Sequence, residues 1–286
     1  MVREHIEKIP GRREDSHKRD YGNILVIAGS RGMTGAAYLS SQGALLSGSG
    51  LVTNGVAESL NSIMEVKLTE VMTLPLAETQ NHSLSLRAKD KILDFSRNCN
   101  VVAIGPGLGL EEETRKLVRE LLAAIEVPVV LDADGINALQ GEMELLRQRK
   151  GRTVITPHPG EMARLMGAST DEVQSKRGDI AKSVAEVTGA VVCLKGHRTV
   201  VANSEGALYV NDTGNSGMAT AGTGDVLTGM IASFIGQGVD DYSAAVSAAY
   251  LHGLAGDIAA EKRGQFSLIA SDLLEFLPEA FDKAGI

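Results

Sequence analysis

Short apolar runs alternate with longer amphipathic stretches along this chain, and the apolar runs tend to stop at glycine or at a polar loop. The first run, 23–28, predicts a strand that ends in the loop Gly29-Ser30-Arg31-Gly32-Met33-Thr34-Gly35. A helix with small residues on one face follows over 36–47, and a second strand begins at Leu51. Strand, glycine-rich loop, helix and strand in that order make a βαβ unit, which implies parallel strands and a right-handed crossover.

The alternation continues. Strands are expected at 100–104, 127–131, 153–156 and 190–194, and an antiparallel pair at 199–202 and 207–210. Helices are expected at 111–124, after the run Pro157-His158-Pro159-Gly160-Glu161 through Met166, as one long element at 171–188, and then at 226–235, 242–261 and 270–283. The fold class is therefore α/β, with a mostly parallel central sheet flanked by helices. No linker, repeat or low-complexity tract interrupts it, so residues 1–286 read as one domain. In an open parallel sheet, ligands sit beyond the carboxyl ends of the strands. The loops at Gly29, Gly107, Asp132, His158, Lys195 and Gly222 are accordingly expected to converge.

One of these loops stands apart. Between Asn211 and Gly229 the chain is almost stripped of large side chains, and Gly222-Thr223-Gly224-Asp225 opens an apolar helical run. Free N–H groups at a helix start, with the helix dipole behind them, form an anion site suited to phosphate. Asp225 would stand beside that cradle with nothing bulky to screen it. A carboxylate so placed is read as a base that takes the proton of an attacking hydroxyl during phosphoryl transfer.

Composition narrows the rest. The formal charge is −8 and no basic run occurs, which argues against nucleic acid and anionic membranes as partners. Aromatic residues are only 3% and Trp is absent, which removes base-stacking platforms. Hydrophobic residues at 43% fit a globular chain. Cys99 and Cys193 lie in separate apolar runs and read as two reduced, buried thiols, consistent with a cytoplasmic protein. The N-terminus has no apolar leader segment. Walker A, Rossmann Gly-x-Gly-x-x-Gly, zinc and nucleophile-elbow motifs are all missing. The Ala-rich stretch Ser243–Ala249 is read as a face for a partner subunit in a homo-oligomer. Asp132 and Asp134 read as helix caps, and His252 as a structural or surface residue.

Taken in order, Gly222-Thr223-Gly224-Asp225, Thr156-Pro157-His158-Pro159-Gly160-Glu161 and Leu194-Lys195-Gly196 resemble the NAD(P)H-hydrate dehydratases of the ribokinase-like superfamily. The resemblance extends from Ser16-His17-Lys18 through Gly105-Pro106-Gly107-Leu108-Gly109 to His252-Gly253-Leu254-Ala255-Gly256-Asp257. It implies a ribokinase-like fold and repair of hydrated NADH or NADPH (NADHX, NADPHX), with ADP, or ATP, as phosphoryl donor and Mg²⁺ as cofactor. By position, Asp225 would be the base and Gly222 and Gly224 the anion hole. Lys195, Gly196, His197, Arg198 and Thr199 would line the adenine nucleotide. Ala36, Gly107 and His158, with Asp225, would line the hydrated dinucleotide, and Glu161 would stand near the metal, the other reading being an acid that only favours its helix N-terminus. Two residues depart from common patterns: Arg19 replaces a Gly usual in the family, and His158 occupies the place of an Asn found in many sugar kinases. A vitamin-precursor or sugar kinase and a non-catalytic nucleotide sensor are the alternatives.

Overall fold

The computed structural model describes residues 2–286. Nine strands form one sheet: β1 (Asn23–Ile27), β2 (Leu51–Ala57), β3 (Met72–Leu76), β4 (Val101–Ile104), β5 (Val129–Leu131), β6 (Thr153–Ile155), β7 (Val191–Leu194), β8 (Val200–Ala202) and β9 (Leu208–Val210). Their order is β3-β2-β1-β4-β5-β6-β7-β8-β9. β1 to β7 pair in parallel, and β8 and β9 add an antiparallel margin. The order reverses between β1 and β4, which makes the carboxyl ends of those strands a topological switch point.

Strands β4, β5, β6 and β7 are buried at every residue, so apolar side chains leave both faces of the sheet and helices cover both. One helical layer contains Thr34–Leu46, Thr223–Gly236, Asp241–Arg263 and Ala270–Ala284, which pack on one another. Glu112–Ala124 and Arg177–Thr188 belong to the opposite layer. The core runs without a break from Ile24 to Ala280, with a small satellite around Ala259, Leu268 and Leu273. Cys99 and Cys193 are buried free thiols, and burial pushes them up to about 11 and about 12.

Three expectations change. The helix expected over 171–188 is two helices, Thr170–Ser175 and Arg177–Thr188, broken at Lys176 (φ −131°, ψ 35°). The first packs on the Pro159–Met166 helix and the second on β7 and β8, two directions that one straight rod cannot serve. The Ser243–Ala249 stretch is not a face for a partner subunit: all seven residues are buried within this chain, against its own helices. Between Asn54 and Asn98 the chain holds elements that the periodicity did not announce, namely β3 and the helices Asn61–Lys67 and Lys89–Ser96. No helix among the described residues is long and apolar enough to cross a membrane.

Candidate active site

The glycine-rich loop, the ends of β5, β6 and β7 and one face of the Asp241–Arg263 helix enclose a cavity of about 880 Å³. That is the size range of small-ligand pockets. Gly222 is the residue before the Thr223–Gly236 helix and has φ +94°, in the left-handed region where a side chain is strained. The turn it makes presents the helix N-terminus and Asp225 to the cavity. Burial, and then the negative charge of Asp132, push the Asp225 carboxyl up to about 7, with Lys195 opposing. A base poised there is about half ionised at neutral pH, able both to take and to hold a proton.

Lys195 reaches in from the end of β7. Its Nζ bonds the Asp132 carboxylate, and its backbone N–H donates to Pro157 O at 2.8 Å. Burial alone would lower its affinity for a proton, but Asp132 and Glu161 raise it above the usual lysine value. The following turn is fixed by Arg177, whose guanidinium donates to Leu194 O at 2.8 Å and His197 O at 2.9 Å. The residue after Asp132 is strained. Ala133 sits at φ +48°, a costly conformation for a residue with a Cβ. Asp134 points elsewhere and accepts the Gly109 N–H at 2.8 Å.

His158 caps the Pro159–Met166 helix. Its Nδ1 accepts N–H groups of Gly160 (2.9 Å) and Glu161 (3.3 Å), which leaves its proton on Nε2, 3.3 Å from Glu161 Oε1. Burial, with Lys195 and Arg164 nearby, lowers its pKa, so the ring is neutral at pH 7. Glu161 completes the capping box by accepting His158 N–H at 2.7 Å. Its carboxyl is 5% exposed, and burial raises its pKa. Among the described residues no three His, Cys, Asp or Glu side chains converge into a metal-holding group. Magnesium usually takes only one or two carboxylates beside substrate phosphates, and Glu161, which stands on the cavity wall, also serves the helix cap.

The cavity lining includes Lys195, Gly196, His197, Arg198, Thr199, Gly222, Gly224, Asp225, His158 and Glu161. Ala36 and Gly107 stand outside it but against each other: a Cβ on Gly107 would lie 2.9 Å from that of Ala36. They belong to the paired loops of β1 and β4 at the switch point, where Ser30 Oγ donates to Gly107 O at 2.8 Å. Leu39, one turn beyond Ala36, packs on Gly222, so the two places adjoin through a single helix.

The roles of several site residues escaped the sequence reading. His252 is buried, and its ring Nε2 lies 2.8 Å from Thr223 O, pinning the first turn that carries Asp225. Burial drives its pKa down to about 4. Asp257 accepts Gly214 N–H and Asn215 Nδ2, while Thr213 Oγ1 donates to Tyr250 O. Gly253 lets this strap lie flat on the helix: a Cβ there would stand 2.2 Å from Thr213 Oγ1 and 2.7 Å from its backbone carbon. The spacing of His252, Gly253, Gly256 and Asp257 on one helical face was the available signal. Gly253→Ala is expected to destabilise the fold by about 1–3 kcal/mol through overpacking against main chain. Chemical denaturation measures this, and an unchanged midpoint would contradict the close approach.

The family model for NAD(P)H-hydrate dehydratase matches residues 24–279. The bifunctional NAD(P)H-hydrate repair enzyme of Moorella thermoacetica is 48% identical over 271 residues, 95% of this chain and 51% of that protein. This chain thus spans about half the length of that relative. The ADP-dependent (S)-NAD(P)H-hydrate dehydratase of Bacillus subtilis is 34% identical over 281 residues, 98% of this chain and 96% of that one. A crystal structure of the ADP/ATP-dependent NAD(P)H-hydrate dehydratase from Bacillus subtilis, co-crystallised with ATP/Mg²⁺, superposes with a TM-score of 0.86 at 34% identity, covering 99% and 97% of the two chains. With the family model matching residues 24–279 and these relatives 34–48% identical over at least 95% of its length, this chain belongs to the NAD(P)H-hydrate dehydratase family.

Proposed function

We propose that the chain catalyses ADP-dependent dehydration of (S)-NAD(P)H hydrate, giving NAD(P)H, AMP and phosphate. The observation that carries the reading is Asp225, poised at about 7 beside a helix N-terminus and facing a buried lysine. The hydrated nicotinamide carries a ring hydroxyl, and hydroxide is a poor leaving group. Asp225 takes the hydroxyl proton as its oxygen attacks the terminal phosphorus of ADP, and AMP departs. The ring nitrogen lone pair then expels phosphate, and loss of a ring proton restores the dihydropyridine. The protein's part is to position the reactants and to stabilise charge.

In this reading the loop amides of Gly222 and Gly224, with Lys195, receive the phosphates, and Gly196, His197, Arg198 and Thr199 line the nucleoside. The hydrated dinucleotide enters from the switch-point side, along Ala36 and Gly107 to His158 and Asp225. Mg²⁺ carried by the nucleotide phosphates would neutralise their charge, with Glu161 the acid that would stand near it. The relative co-crystallised with ATP/Mg²⁺ supports that assignment. A cytoplasmic site of action fits the two buried reduced thiols. Calorimetry tests the two-subsite arrangement: ADP and reduced dinucleotide are expected to bind together, and mutual exclusion would contradict it.

A further inference from the structure

We propose that Asp132 and Thr228 form a buried bracket that holds the Lys195 ammonium, charged, against the phosphate loop. The inference rests on the reading of Gly222–Asp225 as that loop. Asp132 is 1% exposed and both its oxygens are engaged. One pairs with Lys195 Nζ, and the other accepts the Thr228 hydroxyl at 2.7 Å. Thr228 is fully buried, and its Oγ1 also lies 3.1 Å from Gly224 O, one turn back on its own helix. The ring closes at Gly224, where a Cβ would stand 3.2 Å from Lys195 Nζ. Lysine, aspartate and threonine thus brace one another beside Gly224, and the bracket ties the end of β5 to the end of β7 and to the helix that carries Asp225.

The surroundings explain why Asp132 is needed. The groups facing Lys195 are Asp132 from β5, Glu161 and His158 from the Pro159–Met166 helix with Arg164 behind them, Asp225 from the glycine-loop helix, His252 from the long helix and Cys193 from β7. His158 and His252 are held neutral, and the thiol is pushed up to about 12. Among the described residues, Asp132 is the anion whose side chain bonds the ammonium. Without it, desolvation favours neutral lysine, and a neutral amine attracts phosphate poorly. Asp132 and Thr228 are positioning residues acting through Lys195.

The test is ADP affinity by calorimetry at pH 7.5, 8.5 and 9.5, where the ADP phosphates no longer titrate appreciably. Wild type and Thr228→Ser are expected to vary by no more than about twofold over this span, since both keep the ammonium charged. Asp132→Asn is expected to lose about tenfold in affinity per pH unit once the pH exceeds the depressed lysine pKa. Thr228→Val is expected to bind ADP at least about fivefold more weakly, from the loss of one bond to a buried carboxylate. Thr228→Ser keeps that bond and is expected to match wild type. A purely structural defect lowers affinity equally at every pH. Parallel curves for Asp132→Asn, or a Thr228→Ser as weak as Thr228→Val, would overturn the bracket alone. If Asp132→Asn does not fold, the Thr228 pair decides. Wild-type protein that binds no ADP would overturn the functional reading itself.

Discussion

Asp225→Asn is expected to lower turnover by about 10² or more, the usual size of a general-base contribution, while ADP affinity changes little. The variant keeps the shape and removes the proton acceptor. The raised carboxyl adds two further expectations. In wild type, kcat/KM falls as pH drops through about 7, because the base becomes protonated. Stability moves the opposite way. A folded-state pKa of about 7 against an ordinary 3.8 means that the protonated carboxyl suits the fold, and that this contribution disappears as pH rises through 7. At pH 8 the ionised Asp225 is therefore a cost, on the order of a few kcal/mol before solvent relaxation. Asp225→Asn is expected to melt above wild type at pH 8 and to match it near pH 4. Loss of activity with a gain in stability is the signature of a site strained for function. Near-normal turnover in folded Asp225→Asn would remove Asp225 from the mechanism.

Lys195→Ala is expected to weaken ADP by about 10- to 100-fold, the loss of a charge-assisted contact to phosphate, with a much smaller effect on the dinucleotide. The side chain is 17% exposed and sits beside Gly224, at the phosphate loop of the nucleotide end. Removing it also strands Asp132, at 1% exposure, without its counter-ion. A broken buried pair typically costs about 3–5 kcal/mol, so a lower melting temperature is expected as well. Calorimetric titration with each ligand, on protein shown to be folded, separates the two effects. Equal losses for both ligands would mean that Lys195 does not mark the nucleotide end.

Much of this was legible because each apolar strand stops at a loop residue with a distinct chemistry. Gly107, Asp132, His158 and Lys195 all follow strands, and parallel pairing alone places their loops at one end of the sheet. The Gly222–Asp225 loop announced itself by the absence of side chains. What stayed hidden depends on partners distant in sequence. Asp132 reads as a cap until β5 and β7 are placed in the same sheet, for Lys195 lies 63 residues away and Thr228 lies 96. His252 reads as structural, and which turn it holds shows only when its helix is laid against Thr223. The break at Lys176 is invisible because helical periodicity continues through it, and only the differing directions of packing demand it. Strand β3 is an edge strand that carries Pro75 and exposes Met72, so its pattern is weak by construction. The capping box at His158 was carried by the order His-Pro-Gly-Glu, which put Glu161 in the first turn of its helix.

The central claim is that a phosphate taken from ADP makes the ring hydroxyl of hydrated nicotinamide a leaving group. The direct measurement mixes the purified protein with hydrated NADH, Mg²⁺ and ADP, with ATP in a parallel reaction, and follows reduced-nicotinamide absorbance, AMP and phosphate together. The account predicts that absorbance returns and that NADH, AMP and phosphate appear in equal amounts from ADP, with none of this in Asp225→Asn on the same timescale. Protein that is folded and binds ADP but restores no NADH with either nucleotide would contradict it. So would transfer of phosphate to a thiazole or pyrimidine alcohol in place of the hydrate.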